Sequence, residues 1–352
     1  PRRNRGPLRL TIAIVFIAAS ILVASSGFYA DLLWYRSVDF LSVWKTVLGT
    51  KIALFIVTGL VTSALITTNV VIAYRRRPIY VPITVEADNL DRYRSQLEPI
   101  RRWVTLGIAA VLFYFAGSSG TALWRDWLLF NNATPFGVKD PQFGKDISFY
   151  AFKLPFYQSL LSWAISIGIL TLLVSVGVHY LYGGIRPQAQ SDRTTVAARV
   201  QLSILLGSIV LLKAVAYWLD RYNLALKQGK LITGAAYTDV NATLPAKSIL
   251  AGIAIICALL FFANIVRRSW VLPAAGVALM LVSSLVIAGI YPAFIQQFTV
   301  KPSESSKEAP YIQRNIDATR DAYNLTGVTV SDYNAVSSTT AGQLSKDGST
   351  IS

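Results

Sequence analysis

The chain has 352 residues, of which 53% are hydrophobic and 14% charged, with a mean hydropathy of +0.48. A soluble domain carries about 25% charged residues. A single cysteine, Cys257, excludes an internal disulfide, and with a single histidine, His179, no Cys/His zinc cage can be assembled. The net charge of +15 gathers beside long charge-free blocks, so it reads as a topological signal and not as a nucleic-acid surface.

A hydrocarbon core about 30 Å thick takes roughly 20 residues of helix. Seven segments reach that length. The first runs from Leu10 to Ala30; its apolar run is too long for a signal peptide and Phe28-Tyr29-Ala30 is a poor cleavage site, so it is read as a retained span. The second runs from Ile52 to Tyr74. The connection after it contains Asp88-Asn89-Leu90-Asp91, a cap for a short helix with Leu90, Tyr93, Leu97 and Ile100 on one face; it reads either as an interfacial helix with Arg92, Arg94, Arg101 and Arg102 toward phosphates or equally as an ordinary cytoplasmic helix packed on the bundle. The third span runs from Trp103 to Trp124. A turn over Asp140-Pro141-Gln142-Phe143-Gly144-Lys145-Asp146 then leads into an aromatic segment and the fourth span, within Leu154 to Ile185. The fifth runs from Val200 to Leu219 and is interrupted by Lys213. The sixth runs from Ser248 to Val266 and the seventh from Trp270 to Ile295.

Alternate connections give the orientation. The N-terminus and the connections after the second, fourth and sixth spans hold 16 Lys and Arg residues; the opposite set holds 11 over a greater length. Basic residues stay on the cytoplasmic side, so the N-terminus is expected inside and the chain after Ile295 outside. Trp34, Trp127, Trp218 and Tyr291 then mark the outer boundary, and Tyr74, Trp103, Tyr180 and Trp270 the inner one.

Two domains are expected: residues 1–300 as an all-α bundle of about seven transmembrane helices, and residues 301–352 as the beginning of a larger extracytoplasmic region. In the latter, Asn315 to Tyr323 has helical character, Val328-Thr329-Val330 has the character of a strand start, and Ser337 to Ser352 is rich in Ser, Thr and Gly. No initiator Met precedes Pro1, so the chain is read as part of a longer protein.

Three blocks carry a resemblance. They are Asp140 to Tyr150 with Lys153-Leu154-Pro155-Phe156; Tyr217 to Tyr222 with Gly234 to Val240; and Tyr291-Pro292-Ala293-Phe294 with Tyr311 to Arg320. The chain resembles a family of large bacterial membrane proteins, common in actinobacteria and cyanobacteria, grouped as an uncharacterised protein family (UPF). The resemblance implies a multi-span N-terminal region and a large extracytoplasmic region, and it brings no catalytic or binding residues.

Four residues stand out as functional candidates. Lys213 precedes the boundary at Asp220 by about 10 Å of helix, so its ammonium can snorkel outward or meet Asp220, which shares its helical face with Tyr217. Asp220, Arg221 and Asp239 lie at the same level; with Asp126, Asp140 and Asp146 they would hold a cation if they converged, whereas capping and turn formation are their ordinary use. His179, Asn69 and Asn264 lie near the inner ends of three spans, where polar side chains meet across helices. No Gly-rich phosphate loop, nucleophile elbow or zincin motif is present, and no cofactor or metal is implied.

These features favour a non-enzymatic membrane anchor and assembly platform in the bacterial cell membrane, contacting the lipid bilayer and other envelope proteins but no nucleic acid. A transporter or lipid-handling protein, and an envelope enzyme with its site beyond Ser352, are the competing readings. The apolar excess of the two outer loops, at Phe143 and Phe149 in one and Leu224, Leu231 and Tyr237 in the other, predicts one packed cap that also encloses Asp239 and the Trp218-Leu219-Asp220-Arg221 segment. Asp239→Ala is accordingly expected to lower folded yield more than Asp192→Ala.

Overall fold

The computed structural model describes residues 6–78, 93, 95, 96, 98–187, 193–229, 232–267, 271–329 and 340–346. Asp88-Asn89-Leu90-Asp91, Arg92, Arg94, Leu97, Asp192, Leu231, Trp270, Val330 and most of the Ser337–Ser352 stretch lie outside the described residues. Among the described residues every regular element is helical, and strand-like pairing is limited to isolated bridges such as Lys139 with Asp146 and Gln228 with Thr233.

The principal helices are α1 (Gly6–Ser37), α2 (Leu41–Arg75), α3 (Arg101–Gly120), α4 (Trp124–Asn131), α5 (Leu154–Leu181), α6 (Val196–Leu219), α7 (Leu244–Arg267), α8 (Val271–Ser283), α9 (Tyr291–Ile295), α10 (Glu304–Ala322) and α11 (Ala341–Lys346). Short 3₁₀ or π turns join several of them into longer rods. Among the described residues seven such rods are long and apolar enough to cross a membrane, and each of the seven expected segments overlaps one of them. They alternate in direction. One end of the bundle carries Arg75, Arg77, Arg101 and Arg186; the other carries the loops around Asp140 and Asp220. We call them the arginine-rich end and the capped end.

The seventh rod departs from expectation. The span is expected to end at Ile295 ahead of a polar stretch, but successive α, π and 3₁₀ turns run from Val271 to Ala322, 52 residues, with one departure from helical backbone at Ser303 (φ −137°, ψ 42°). That is about 78 Å of helix, far more than a bilayer core of about 30 Å requires. Val328 and Thr329, expected to start a strand, are in irregular backbone.

Prolines explain how such rods stay continuous. Among the described residues the four π turns are Phe149–Lys153, Asp239–Thr243, Ser284–Ile290 and Gln296–Val300. Each ends two residues before a proline: Pro155, Pro245, Pro292 and Pro302. A proline has no N–H and its ring collides with the carbonyl four residues earlier. A wider turn at that carbonyl relieves the collision and lets the helix proceed.

Packing relies on small residues. Phe55 of α2 lies over Gly117 of α3, and Phe113 of α3 lies over Gly59 of α2; a Cβ at either glycine would sit 2.7 Å from the facing Phe carbonyl oxygen. The two rings meet edge-on at 5.4 Å. Thr58 Oγ1 donates to Leu54 O at 2.7 Å and lies 3.2 Å from Ala116 O across the helix pair. Between α6 and α7, Ala198, Leu202 and Ala214 are buried with Ala251, Ala254 and Ala258, and Phe262 packs on Gly207. Close approach of this kind, with cross-helix hydrogen bonds, is how helices associate where the solvent is itself apolar.

Candidate functional site at the capped end

The loop before α5 is organised by two carboxylates. Asp146 accepts from the backbone N–H of Phe136 at 3.1 Å, Gly137 at 2.9 Å and Ser148 at 2.8 Å. A hydrogen bond from the Ser148 side chain, with those from the Phe136 and Ser148 amides, holds its pKa down at about 2. A carboxylate depressed in this way stabilises the loop above the ordinary carboxylate range, and the contribution is lost as pH falls through about 2. Asp140 accepts from the N–H of Gln142 and Phe143 and from the Tyr150 hydroxyl at 3.2 Å.

This loop meets the connection between α6 and α7, as their shared apolar excess predicts. The rings of Phe143 and Phe149 both pack against Tyr222, at 5.1 and 5.2 Å. Leu224, in the same connection, is buried. Coverage is partial. Trp218 is 51% exposed, so the Trp218-Leu219-Asp220-Arg221 segment lies on the rim of the cap and not inside it.

Asp239 is enclosed. It is 3% exposed, receives a 2.6 Å ion pair from Lys227 and accepts from the Ala236 N–H at 3.2 Å. It stands on the first residue of the π turn that opens α7, where unpaired backbone donors favour a negative charge.

Asp220 is not paired with Lys213 or Arg221. Its carboxylate lies 3.5 Å from Lys247 of α7 and accepts from Asn223 at 3.4 Å. The Lys213 ammonium sits 5.2 Å from the Tyr217 ring, and the Arg221 guanidinium stacks on Trp218 at 4.1 Å. Snorkelling side chains find aromatic faces here because the neighbouring helix supplies the better-placed cation for the carboxylate. Lys213 and Asp220 do share a cleft of about 410 Å³ with Gln158, Ser162, Ser166 and Asn223. Gln158 donates to Asn223 at 2.7 Å, and Ser159 donates to Asp126 at 2.7 Å. Thus Asp140 and Asp146 organise one loop, while Asp126, Asp220 and Asp239 each bond elsewhere. Among the described residues no three His, Cys, Asp or Glu side chains converge as metal ligands.

The helical extension α10 is part of the cap. Glu308 accepts from the Tyr237 N–H at 3.0 Å, Asn241 donates to the Tyr311 hydroxyl at 3.3 Å, and Asn315 donates to Thr233 O at 2.9 Å. Arg314 reaches the first loop, donating to Gln142 at 3.0 Å.

A second polar assembly lies inside the bundle toward the arginine-rich end. Gln201 donates to Asn69 O at 3.0 Å and Asn69 Oδ1 at 3.1 Å, which turns its own oxygen to His179 Nε2, 3.0 Å away. His179 therefore donates from Nε2. His179 and Asn69 are thus joined as expected, through a residue that sequence reasoning missed. Asn264 stands apart from them and donates to Ser203 at 2.8 Å. The signal for Gln201 was an amide within an apolar helix, where a polar side chain seeks a partner on a neighbouring helix.

Comparison with known proteins gives relatives but no activity. The UPF0182 protein of Streptomyces coelicolor is 47% identical over 344 residues, covering 96% of this chain and 34% of its own length. That of Nocardioides is 47% identical over 344 residues, with 98% and 34% covered, and that of Frankia alni is 50% identical over 321 residues, with 91% and 31% covered. The chain thus spans about a third of the length of these relatives. No solved structure matches it. Residues 8–352 match the pattern of the uncharacterised protein family UPF0182, and the chain belongs to that family.

Proposed function

We propose that the chain is a membrane anchor and assembly platform of a bacterial cell membrane. In this reading residues 1–300 are the membrane domain, with the N-terminus in the cytoplasm. Residues 301–352 begin an extracytoplasmic region that the platform holds against envelope proteins or lipid. The observation that carries it is the continuation of helical turns from Val271 to Ala322, past the apolar span. Its polar part, α10, is hydrogen-bonded to both cap loops. A span that merely ended a bundle would need neither the extension nor its docking. Relatives about three times as long as the matched region support a platform with something to present.

Cysteine labelling tests the orientation. In a Cys257→Ala background, Ser305→Cys reacts with an impermeant thiol reagent on intact cells, and Ser95→Cys reacts only after permeabilisation. The reverse pattern removes the orientation. Full-length protein extracted in mild detergent should bring stoichiometric envelope partners; a lone monodisperse monomer in several detergents removes the platform role. Lipid handling is the second reading, favoured by the polar cleft that Gln158, Ser162 and Ser166 form beside Lys213. An altered lipid distribution in a deletion strain would select it.

A further inference from the structure

Each end of the bundle holds cations that an acidic side chain neutralises and cations held only by aromatic rings. At the capped end Lys227 and Lys247 are each paired with an aspartate. At the arginine-rich end the carboxylate of Glu98 is taken by Arg77 at 3.2 Å and by the Tyr74 hydroxyl at 3.3 Å. Arg75 and Arg102 meet no acidic partner among the described residues. Arg101 is held with its guanidinium 3.9 Å above the Tyr74 ring. Tyr74 in turn meets Tyr182 edge-on at 5.1 Å. The aromatic pair orients Arg101 without neutralising it.

These arginines stand at the mouth of a groove of about 600 Å³ between α2, α3 and α5. Its interior is apolar: Val71 from α2, Val104 and Ile108 from α3, and Val178 and Leu181 from α5. Its size is that of a small-molecule site, about 300–1,000 Å³. From Arg101 to Ile108 the wall runs about 10 Å along the helix, so the apolar part penetrates well below the charged mouth. Trp103, 77% exposed, stands beside Arg102 at the level where amphipathic rings meet lipid headgroups.

We infer that this groove binds an anionic phospholipid of the surrounding bilayer, its phosphate between Arg75, Arg101 and Arg102 and an acyl chain against Val71, Val104 and Val178. Charge complementarity selects that occupant. A zwitterionic lipid would bring a cation into a cluster of three guanidinium groups that have no acidic partner among the described residues. An apolar peptide would leave the cluster without a counter-charge. Guanidinium forks match phosphate oxygens, and basic pockets between membrane helices take acidic headgroups. The inference rests on the membrane reading above but not on the platform role or the orientation.

The experiment uses the full-length chain purified in mild detergent and titrated with phosphatidylglycerol or phosphatidylcholine, with bound lipid read by native mass spectrometry. Phosphatidylglycerol is expected to be retained about tenfold more strongly. Arg75→Gln/Arg102→Gln is expected to abolish the preference, and Arg36→Gln/Arg125→Gln at the other end to leave it intact. Excess inorganic phosphate should not displace the lipid, because the acyl chain contributes to binding; displacement would make the site one for free phosphate and overturn the proposal. Equal retention of the two lipids, or equal loss in both variant pairs, would also overturn it. Should the arginine variant fail to fold, a photoactivatable phosphatidylglycerol on the unaltered protein decides. Cross-links at Val70–Val71 and Val104–Ile108 support the site, and cross-links confined to other positions refute it. Cysteine labelling reads membrane insertion separately.

Discussion

Asp239 and Lys227 are joined by one ion pair but are not equivalent. The Asp239 side chain is 4% exposed and the Lys227 side chain 52% exposed. Removing the lysine strands a charge away from water, whereas removing the aspartate leaves an ammonium free to hydrate. We therefore expect Lys227→Ala to cost about 2–4 kcal/mol. Asp239→Ala should cost about 1–2 kcal/mol through the lost hydrogen bonds, and the double variant should resemble the aspartate variant alone. Thermal unfolding in detergent measures all three; equal losses in the two single variants would refute the asymmetry. At this scale the sequence was only partly legible. Asp220 and Lys213 share a helical face, and that spacing suggested a pair. The true partner, Lys247, lies 27 positions on and on another helix, where local spacing carries no information.

At the scale of elements, the α2–α3 pair is specified by where side chains are missing. Gly117 makes room for Phe55 and Gly59 for Phe113, while a Cβ at Gly107 on the same α3 helix would meet nothing within 4 Å. Gly117→Leu should therefore lower stability by about 1–3 kcal/mol by forcing the helices apart. Gly107→Leu, toward open space, should be neutral or slightly stabilising, since leucine is the better helix former. A melting comparison of the two checks this; similar melting points would mean that the Gly–Phe contacts do not hold the pair. The seven spans themselves were legible because an apolar solvent demands runs of about 20 apolar residues. Their ends were not. The polar stretch that opens at Lys301-Pro302 marked the expected end, whereas the wide turn before Pro302 lets helical turns continue past it.

Over the whole molecule the cap and the helical extension form one polar assembly on an apolar bundle. The meeting of the two capped-end loops followed from apolar residues too numerous to leave in water. The docking of α10 did not follow, because Glu308, Tyr311 and Asn315 act on backbone and side-chain groups about 70 to 80 positions earlier. Glu308→Ala combined with Asn315→Ala should release that extension. Hydrogen exchange across 304–322 is expected to rise roughly thirtyfold, for two lost bonds of about 1 kcal/mol each, while exchange in Leu244–Arg267 stays unchanged. Unchanged exchange in 304–322 would show that the helix is held by other means.

The seventh rod is also a lever. Its polar arm, Glu304–Ala322, is 19 residues long, or about 28 Å. Turned by about 10° at the membrane surface, an arm of that length moves its tip by about 5 Å. Since the same arm is fastened to both cap loops, a tilt that begins among lipids would reach the cap as a displacement, and a pull on the arm would return to the bundle as torque.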